Sequence, residues 1–295
     1  MWIEMMAPHT WPASIFPVLV ALGAAYATHG VSWPSLMPWA LLAICVLMQG
    51  SVNTLNDYYD YVKGADSAED NVDPTDAVLV YNNVNPRSAL ALAIVLLVIA
   101  FGIGAYVIAF AGWVPLVIGV IGALFVVLYS AGKTPISYLP LGEAVSGFVM
   151  GGLIPLACYH ALTLDLTPLA LVWAIPEILG IGLIMLTNNT CDIEKDLEVN
   201  RKTLPVLLGR ARSVKLYHAI MLVWVAAIVV NVCVFFPRGV VVLPFLLLAS
   251  YPPMNALFKN PIAPQSRIGA MAQVGGLNVI LGSLYAAALF ASGVA

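Results

Sequence analysis

Apolar runs of membrane length follow one another along almost the whole chain, separated by short segments rich in Pro, Gly and polar residues. A helix of about 20 apolar residues crosses the hydrocarbon core of a bilayer with all of its backbone hydrogen bonds satisfied. Charged residues make up only 9% of the chain, whereas a soluble domain carries about 25%. The sequence therefore predicts an all-α, multi-pass integral membrane protein, with one domain over residues 1–295. Nine transmembrane helices are expected, at residues 12–30, 35–56, 87–110, 113–130, 142–162, 168–190, 212–236, 239–258 and 268–292.

The basic residues indicate how these helices are oriented. With nine helices, successive loops alternate between the two sides of the membrane. Of the 12 Lys and Arg residues, Arg238 alone falls on the side opposite the others. Because basic residues collect in cytoplasmic loops, we expect the N-terminus and the polar loops in the cytoplasm and the C-terminus outside. The expected location is a prokaryotic cell membrane.

A polar cluster ends the second predicted helix on the cytoplasmic side. It reads SVNTLNDYYDYVKGAD, from residue 51 to residue 66. Asn53, Asp57 and Asp60 are spaced i, i+4 and i+7, so a helix places them in one narrow stripe, with Asn56 beside it. The sequence therefore predicts a row of carboxylates where this helix leaves the membrane.

A second polar cluster, TNNTCDIEKDLEVNRK at residues 187–202, ends the sixth predicted helix on the same side. Its Asn188, Asp192 and Asp196 are spaced i, i+4 and i+8, which again predicts one helix face. A single cluster of this kind is commonly a solvated helix end. Two clusters on one side, both followed by basic residues, favour a shared site between two pseudo-symmetric halves.

The chemistry of the two clusters points to a metal-bound diphosphate. Converging carboxylates need a cation between them, and neither cluster contains His or a set of Cys. Oxygen ligands suit Mg²⁺, which commonly binds one or two carboxylates together with substrate phosphates. A diphosphate held at the membrane face, with a lipid tail in the bundle, is the pattern of a prenyl diphosphate. Four basic residues nearby could neutralise the remaining phosphate charge: Lys63, Lys133, Arg201 and Lys202.

Three motifs in this order resemble those of the UbiA superfamily of membrane prenyltransferases. They are NDYYDYVKGAD at residues 56–66, YSAGK at residues 129–133 and DIEKD at residues 192–196. The first of them, with Asp66 as its third acid, is most similar to the branch that acts on 1,4-dihydroxy-2-naphthoate in menaquinone synthesis. One departure is Ala7, which stands before Pro8 where that branch usually has Arg.

The resemblance implies nine helices around a central cavity, with the active site on the cytoplasmic side. It also implies a reaction in which Mg²⁺, or Mn²⁺ in its place, bridges the diphosphate and promotes its departure. The expected partners are a polyprenyl diphosphate, an aromatic acceptor and the lipid bilayer, with no nucleic acid. The implied metal ligands are Asn53, Asn56, Asp57, Asp60, Asn188, Asp192 and Asp196.

The resemblance gives three further residues catalytic roles. Tyr129 would stabilise the allylic cation through its ring face, Lys133 would contact the diphosphate, and Asp66 would position Lys63 or the acceptor. With a dihydroxynaphthoate, the ring carbon that bears the carboxylate would attack the cation and CO₂ would leave.

Two acids outside the clusters have weaker signals. Glu177 lies within the sixth predicted helix, where charged groups are often functional; a role in packing or hydrogen bonding is equally open. Glu143 begins the fifth predicted helix, and we interpret it as an acid that suits the helix dipole.

Other functions were weighed against this one. A superfamily member could use another acceptor, such as hydroxybenzoate, homogentisate, a tetrapyrrole or a lipid. A secondary transporter would place its acids near the bilayer midplane on broken helices, whereas these acids lie at one face beside basic residues. A CDP-alcohol phosphotransferase needs a DGxxAR segment, which the sequence lacks.

Overall fold

The computed structural model describes residues 2–31, 35–63, 78–82, 84–130 and 134–293, without the side chains of Asp60, Lys63, Val126 and Ser130. Within these ranges the chain forms helices and connecting loops, and no strand. The prediction of an all-α protein is therefore confirmed. Asp66 and Lys133 lie outside the described residues.

The helices are labelled in chain order. They are α1 (Pro12–His29), α2 (Leu36–Lys63), α3 (Val78–Tyr81), α4 (Pro86–Ala111), α5 (Val114–Ser130), α6 (Gly142–Ser146), α7 (Ile154–Thr163), α8 (Leu169–Cys191), α9 (Ile193–Glu198), α10 (Leu204–Leu208), α11 (Arg210–Phe235), α12 (Leu243–Lys259) and α13 (Arg267–Ala291). A π-helical segment, Gly147–Leu153, joins α6 to α7. Short 3₁₀ segments are Glu4–Met6, Pro8–Thr10, Ile136–Tyr138, Pro237–Val242 and Pro264–Ser266.

Eight helical segments in the described part of the chain are long and apolar enough to cross a bilayer. They are Pro12–His29, Leu36–Tyr59, Pro86–Ala111, Gly142–Thr163, Leu169–Cys191, Arg210–Phe235, Pro237–Lys259 and Pro264–Ala291. The remaining predicted span, 113–130, forms α5, which has 17 residues. At 1.5 Å per residue α5 is about 26 Å long, a little short of a hydrocarbon core of about 30 Å. Eight of the nine predicted spans are therefore helical segments of membrane-crossing length and composition, and the ninth is the shorter α5.

Local sequence signals set several helix ends. Asn85 precedes α4, and its side chain accepts a hydrogen bond from the backbone N–H of Arg87 at 2.9 Å. Pro86 occupies the first turn of α4, where a missing N–H has no cost. At the other end of a helix, Gly30 follows α1 with a φ of 66°. This left-handed conformation favours glycine, so the chain turns there.

Helix α1 connects the two parts of the bundle that carry the polar clusters. It packs against α2, which carries the first cluster, and against α8, which leads into the second. It also packs against α7 and α13, while α2 packs along α4. Large side chains that are fully buried, among them Tyr159, Trp224 and Tyr285, fill the space between the helices.

The π-helical segment approaches the backbone of α8 unusually closely. A Cβ atom on Gly151 would lie 2.4 Å from the backbone nitrogen of Ile178, and one on Gly147 would lie 2.6 Å from the Ile178 carbonyl oxygen. Both distances are shorter than real Cβ contacts, so only glycine permits this packing. The close contact aligns the start of α6 with the end of α8, where the second cluster begins.

Candidate active site

In the first cluster, Asn53 contacts the segment that precedes α1. Its amide nitrogen donates hydrogen bonds to the Met6 carbonyl oxygen at 3.0 Å and to Thr10 Oγ1 at 2.7 Å, while its Oδ1 accepts one from Gln49 at 3.3 Å. Position 7 belongs to the same segment, where Ala7 is buried and has a φ of 45°. The position at which the related branch has Arg therefore lies close to the first cluster.

Asp57 is buried, with 5% of the residue exposed. The backbone N–H of Leu79, in α3, donates to its Oδ2 at 3.2 Å. Val78 and Leu79 form a small apolar cluster with Met5 and Ala89 beside this contact. Asp57 makes further interactions within the chain, as does the half-buried Asn56. The side chains of the predicted site residues Asp60 and Lys63 are not among those described.

The second cluster lies at the junction of two helices rather than within one. Helix α8 ends at Cys191, and Asp192 has φ −98° and ψ 16°, outside helical geometry, before α9 begins at Ile193. Hydrogen bonds of helical spacing nevertheless continue across this residue, from the Asp192 N–H to the Asn188 carbonyl oxygen at 3.1 Å and from the Asp196 N–H to the Asp192 carbonyl oxygen at 2.8 Å. The predicted stripe through Asn188, Asp192 and Asp196 thus extends over two helices that meet at its middle residue. The first two of these side chains share one partner and Asp196 has another.

Arg267, the first residue of α13, joins Asn188 to Asp192. Its Nε donates to Asp192 Oδ1 at 3.0 Å and to Oδ2 at 3.3 Å, and its Nη2 donates to Asn188 Oδ1 at 2.6 Å. Asp192 and Arg267 line a cavity of about 190 Å³ that Lys195 and Glu198 also line. In the sequence, Arg267 is only one of the basic residues expected in the cytoplasm, since nothing local relates it to an aspartate 75 positions away.

Asp196 pairs with Arg201, one of the predicted diphosphate ligands. The Arg201 guanidinium lies 3.3 Å from Asp196 Oδ1, and Thr203 donates its hydroxyl hydrogen to Asp196 Oδ2 at 3.0 Å. The guanidinium also donates to the Ser137 carbonyl oxygen at 3.2 Å and lies 5.3 Å from the centre of the Tyr138 ring. These contacts fix the loop after α9 against the loop after α5.

Lys202 follows in the same loop with an exposed side chain. Its backbone N–H donates to the carbonyl oxygen of Tyr138 at 3.0 Å, so the loop position is held while the ammonium group stays free to reach an anion. This arrangement is compatible with the predicted contact to a diphosphate.

Burial raises the pKa of both acids in the second motif. Desolvation is the largest effect on the pKa of Asp192, opposed by the Arg267 charge, and also on that of Asp196, opposed by Arg201. Each carboxylate is therefore in a site where the ionised form needs a neighbouring cation.

Glu143, Asn189 and Tyr129 form a neighbouring polar group. Glu143 lies in the first turn of α6, as predicted, and it is buried. The Asn189 side chain donates to its Oε1 at 2.9 Å. The Tyr129 hydroxyl lies 3.3 Å from where a Cβ atom on Gly142 would be. Tyr129 is also within electrostatic range of Arg201, so this group adjoins the Asp196 pair.

Glu177, the other acid left open by the sequence, is buried within α8 and is 5% exposed. It lies more than three turns before Asp192 along the chain. The structure places it among packed helices.

The oxygen donors of the two clusters are of the type that Mg²⁺ prefers. Within the described ranges, no three His, Cys, Asp or Glu side chains lie close enough to hold one metal ion. Asp192 and Asp196 instead face guanidinium groups, and the described part of the chain does not include the Asp60 side chain. The two clusters therefore offer oxygen donors of the kind that a hard cation binds. Both acids of the second motif already have a positive charge beside them, from Arg267 at Asp192 and from Arg201 at Asp196.

The model of the UbiA prenyltransferase family matches residues 14–261. The chain is 34% identical over 231 residues to a 1,4-dihydroxy-2-naphthoate octaprenyltransferase of Bacillus subtilis, covering 77% of this chain and 73% of that protein. It is 28% identical over 291 residues to the Mycobacterium tuberculosis protein of the same name, covering 96% of each.

Two solved structures share the fold. A UbiA homologue from Aeropyrum pernix in its apo form matches with a TM-score of 0.66 at 18% identity, over 95% of this chain and 96% of the other. A UbiA homologue from Archaeoglobus fulgidus, bound to DMAPP and Mg²⁺, matches with a TM-score of 0.61 at 14% identity, over 97% and 99%.

Proposed function

Because the chain belongs to the UbiA prenyltransferase family, we propose that it transfers a polyprenyl group from prenyl diphosphate to 1,4-dihydroxy-2-naphthoate in menaquinone biosynthesis. The reaction depends on Mg²⁺ and releases CO₂. The predicted class of enzyme, an aromatic prenyltransferase, follows from family membership and from the similarity to dihydroxynaphthoate octaprenyltransferases.

One observation carries the choice of acceptor. The chain is 34% identical to a 1,4-dihydroxy-2-naphthoate octaprenyltransferase across 73% of that protein. The M. tuberculosis protein with the same name aligns along nearly its whole length, so the similarity extends beyond the Asp motifs. The choice of acceptor therefore rests on the similarity to these relatives. The oxygen donors and basic side chains of the two clusters support a diphosphate as the donor substrate.

The residues proposed to hold Mg²⁺ are Asn53, Asn56, Asp57, Asp60, Asn188, Asp192 and Asp196. When bound, Mg²⁺ neutralises the diphosphate and makes it a better leaving group; Mn²⁺ would suit the same oxygen donors. The Mg²⁺-bound structure of the A. fulgidus homologue supports a divalent cation in this fold.

Side chains of the protein perform the remaining tasks. Arg201, Lys202, Lys63 and Lys133 supply positive charge to the phosphate oxygens. For Arg201 this role is supported by the contacts of its guanidinium with Asp196 and with the Tyr138 ring, which already hold it in place. Asp66 is proposed to position Lys63 or the acceptor.

The bond changes are those of an aromatic substitution. The allylic C–O bond breaks and the diphosphate leaves with the electron pair, while the Tyr129 ring stabilises the allylic cation. The acceptor carbon that bears the carboxylate forms the new C–C bond. Its bond to the carboxylate then breaks, CO₂ leaves, and the electron pair returns to the ring. Neither an oxidant nor a reductant is needed.

We place the whole chain, residues 1–295, in one membrane domain of a prokaryotic cell membrane. The distribution of basic residues supports a cytoplasmic N-terminus, a cytoplasmic site and an external C-terminus. This orientation also gives the site access to soluble Mg²⁺ while the prenyl chain stays in the apolar interior.

The test uses the purified protein in lipid with a labelled prenyl diphosphate. Either 1,4-dihydroxy-2-naphthoate or 4-hydroxybenzoate is added, each with Mg²⁺ or with EDTA, and prenylated product and CO₂ are measured. We expect Mg²⁺-dependent product and CO₂ with the naphthoate alone. Product with hydroxybenzoate alone would overturn the acceptor assignment, and product in EDTA would overturn the metal requirement.

A further inference from the structure

We propose that Glu143 accepts a hydrogen bond from a ring hydroxyl of the aromatic acceptor and forms part of the acceptor site; this inference rests on the proposed function. The residue is 7% exposed, and one of its carboxylate oxygens, Oε1, accepts a hydrogen bond from Asn189 at 2.9 Å. The other, Oε2, is buried and has no hydrogen-bond partner among the described residues.

An unpartnered carboxylate oxygen inside a protein is costly, because the group has lost its hydration without a replacement. The chemistry of this oxygen also limits which group can be its missing hydrogen-bond partner. An ionised carboxylate only accepts hydrogen bonds, so the partner must bring a donor. Of the two proposed substrates, prenyl diphosphate presents phosphate oxygens that accept hydrogen bonds, so it does not supply the missing donor. Both substrates are anions, and the difference between them lies in their donors. The dihydroxylated aromatic acceptor carries two hydroxyl donors and fits.

The position of Glu143 agrees with an acceptor site. Its partner Asn189 follows the proposed metal ligand Asn188 directly in sequence, and the Tyr129 hydroxyl lies next to Gly142. Tyr129 is the residue proposed to face the allylic cation. An aromatic ring bonded to Glu143 would therefore lie beside the group that holds its reaction partner. A hydroxyl that donates to a carboxylate also leaves more electron density on the ring, which favours attack on a cation.

A purely structural role for Glu143, as the partner of Asn189 or as an acid at a helix start, is the main rival. The two roles use different oxygens. Holding Asn189 needs Oε1, whereas binding a hydroxyl donor needs Oε2. Glu143→Gln separates them, because the amide oxygen can still accept from Asn189 while an NH₂ donor replaces Oε2.

The experiment compares wild type with Glu143→Gln in lipid, using labelled prenyl diphosphate and varied 1,4-dihydroxy-2-naphthoate. We expect kcat/KM for the naphthoate to fall about 10- to 100-fold, the usual effect of losing a hydrogen bond to a charged group. The KM for prenyl diphosphate should not change. Glu177→Gln, which removes a different buried acid, is the matched control and should leave the KM for the naphthoate unchanged.

A second measurement identifies the bonded hydroxyl. Inhibition constants are determined for 1-hydroxy-2-naphthoate and 4-hydroxy-2-naphthoate, which each lack one ring hydroxyl. The analogue without the bonded hydroxyl should bind wild type more weakly and lose nothing further in Glu143→Gln, as in a double-mutant cycle. The other analogue should lose affinity in the variant as the substrate does.

Equal kcat/KM in wild type and Glu143→Gln would overturn the proposal, and so would an equal loss for substrate and both analogues. If Glu143→Gln does not fold, Glu143→Asp replaces it. That variant keeps two acceptor oxygens one carbon further back, so it should bind the substrate more weakly; wild-type affinity there would overturn the proposal. Failure of wild type to prenylate the naphthoate would overturn the proposed function itself, which separates the two failures.

Discussion

Replacing Arg267 by Gln tests whether its guanidinium occupies the place that a metal ion would take at the second Asp motif. In the structure, Arg267 Nε lies 3.0 Å from Asp192 Oδ1, and its Nη2 lies 2.6 Å from Asn188 Oδ1. The charged side chains of the pair are 12% and 19% exposed. The pair is thus closer to a buried ion pair than to a surface one.

The expected cost follows from that burial. Removing one partner of a buried pair costs about 3–5 kcal/mol, because the other charge is left without compensation. Exposed pairs contribute about 0–1 kcal/mol. For Arg267→Gln, in which Gln keeps one possible donor, we expect a loss of about 2–4 kcal/mol in the free energy of unfolding of the metal-free protein.

The sharper expectation concerns Mg²⁺. If Asp192 is a metal ligand, the metal and Arg267 compete for the same carboxylate, and removal of Arg267 leaves that carboxylate free to bind the metal. Mg²⁺ with pyrophosphate should therefore stabilise Arg267→Gln more than wild type, since a ligand stabilises the state that it binds. Thermal unfolding in detergent, with and without these additions, measures the difference without relying on enzyme activity.

Arg210→Gln is the matched control. Arg210 begins α11 and pairs with Glu194 at 2.6 Å, and it also donates to the Thr190 carbonyl oxygen. Glu194 lies between the two motif acids in sequence but is 60% exposed and is not a proposed ligand. The control should lose stability without any change in its response to Mg²⁺. The same Mg²⁺ response in wild type, Arg267→Gln and Arg210→Gln would refute the reasoning.

Two further predictions concern the site and the helix packing. Asp57→Ala and Asp192→Ala should each abolish prenyl transfer while the protein stays folded, because each removes a proposed metal ligand. Product formation measures the activity, and size-exclusion chromatography shows whether the variant is folded. Activity in both variants would refute the metal hypothesis. Gly151→Ala should destabilise the protein by about 1–3 kcal/mol, because its Cβ would lie 2.4 Å from the Ile178 nitrogen. Gly102→Ala, whose Cβ would meet open space, should be neutral or stabilising by up to about 1 kcal/mol; equal stability of the two Gly variants in a denaturant titration would contradict this packing argument.

Much of the site could be anticipated from the sequence because its signals are local. The spacing of Asn53, Asp57 and Asp60 within one helix, and the apolar run before it, can be read without knowing any contact. The same holds for the cap at Asn85, where a turn residue precedes Pro86. The exact helix boundaries were not visible in the same way. Nothing in the sequence marks Asp192 as the residue at which α8 gives way to α9.

By itself the sequence determined the class of the protein and its all-α fold, since composition and the length of apolar runs can be read without knowing any contact. The tertiary structure decided which charges meet. Arg267 pairs with Asp192 across 75 positions, and Asn189 with Glu143 across 46. These pairs depend on how α8 packs against α13 and α6, and that packing is set by side-chain volume and by close approach at glycines such as Gly151. Burial then gives each pair its energy, because a charge inside the protein must find its partner there rather than in water.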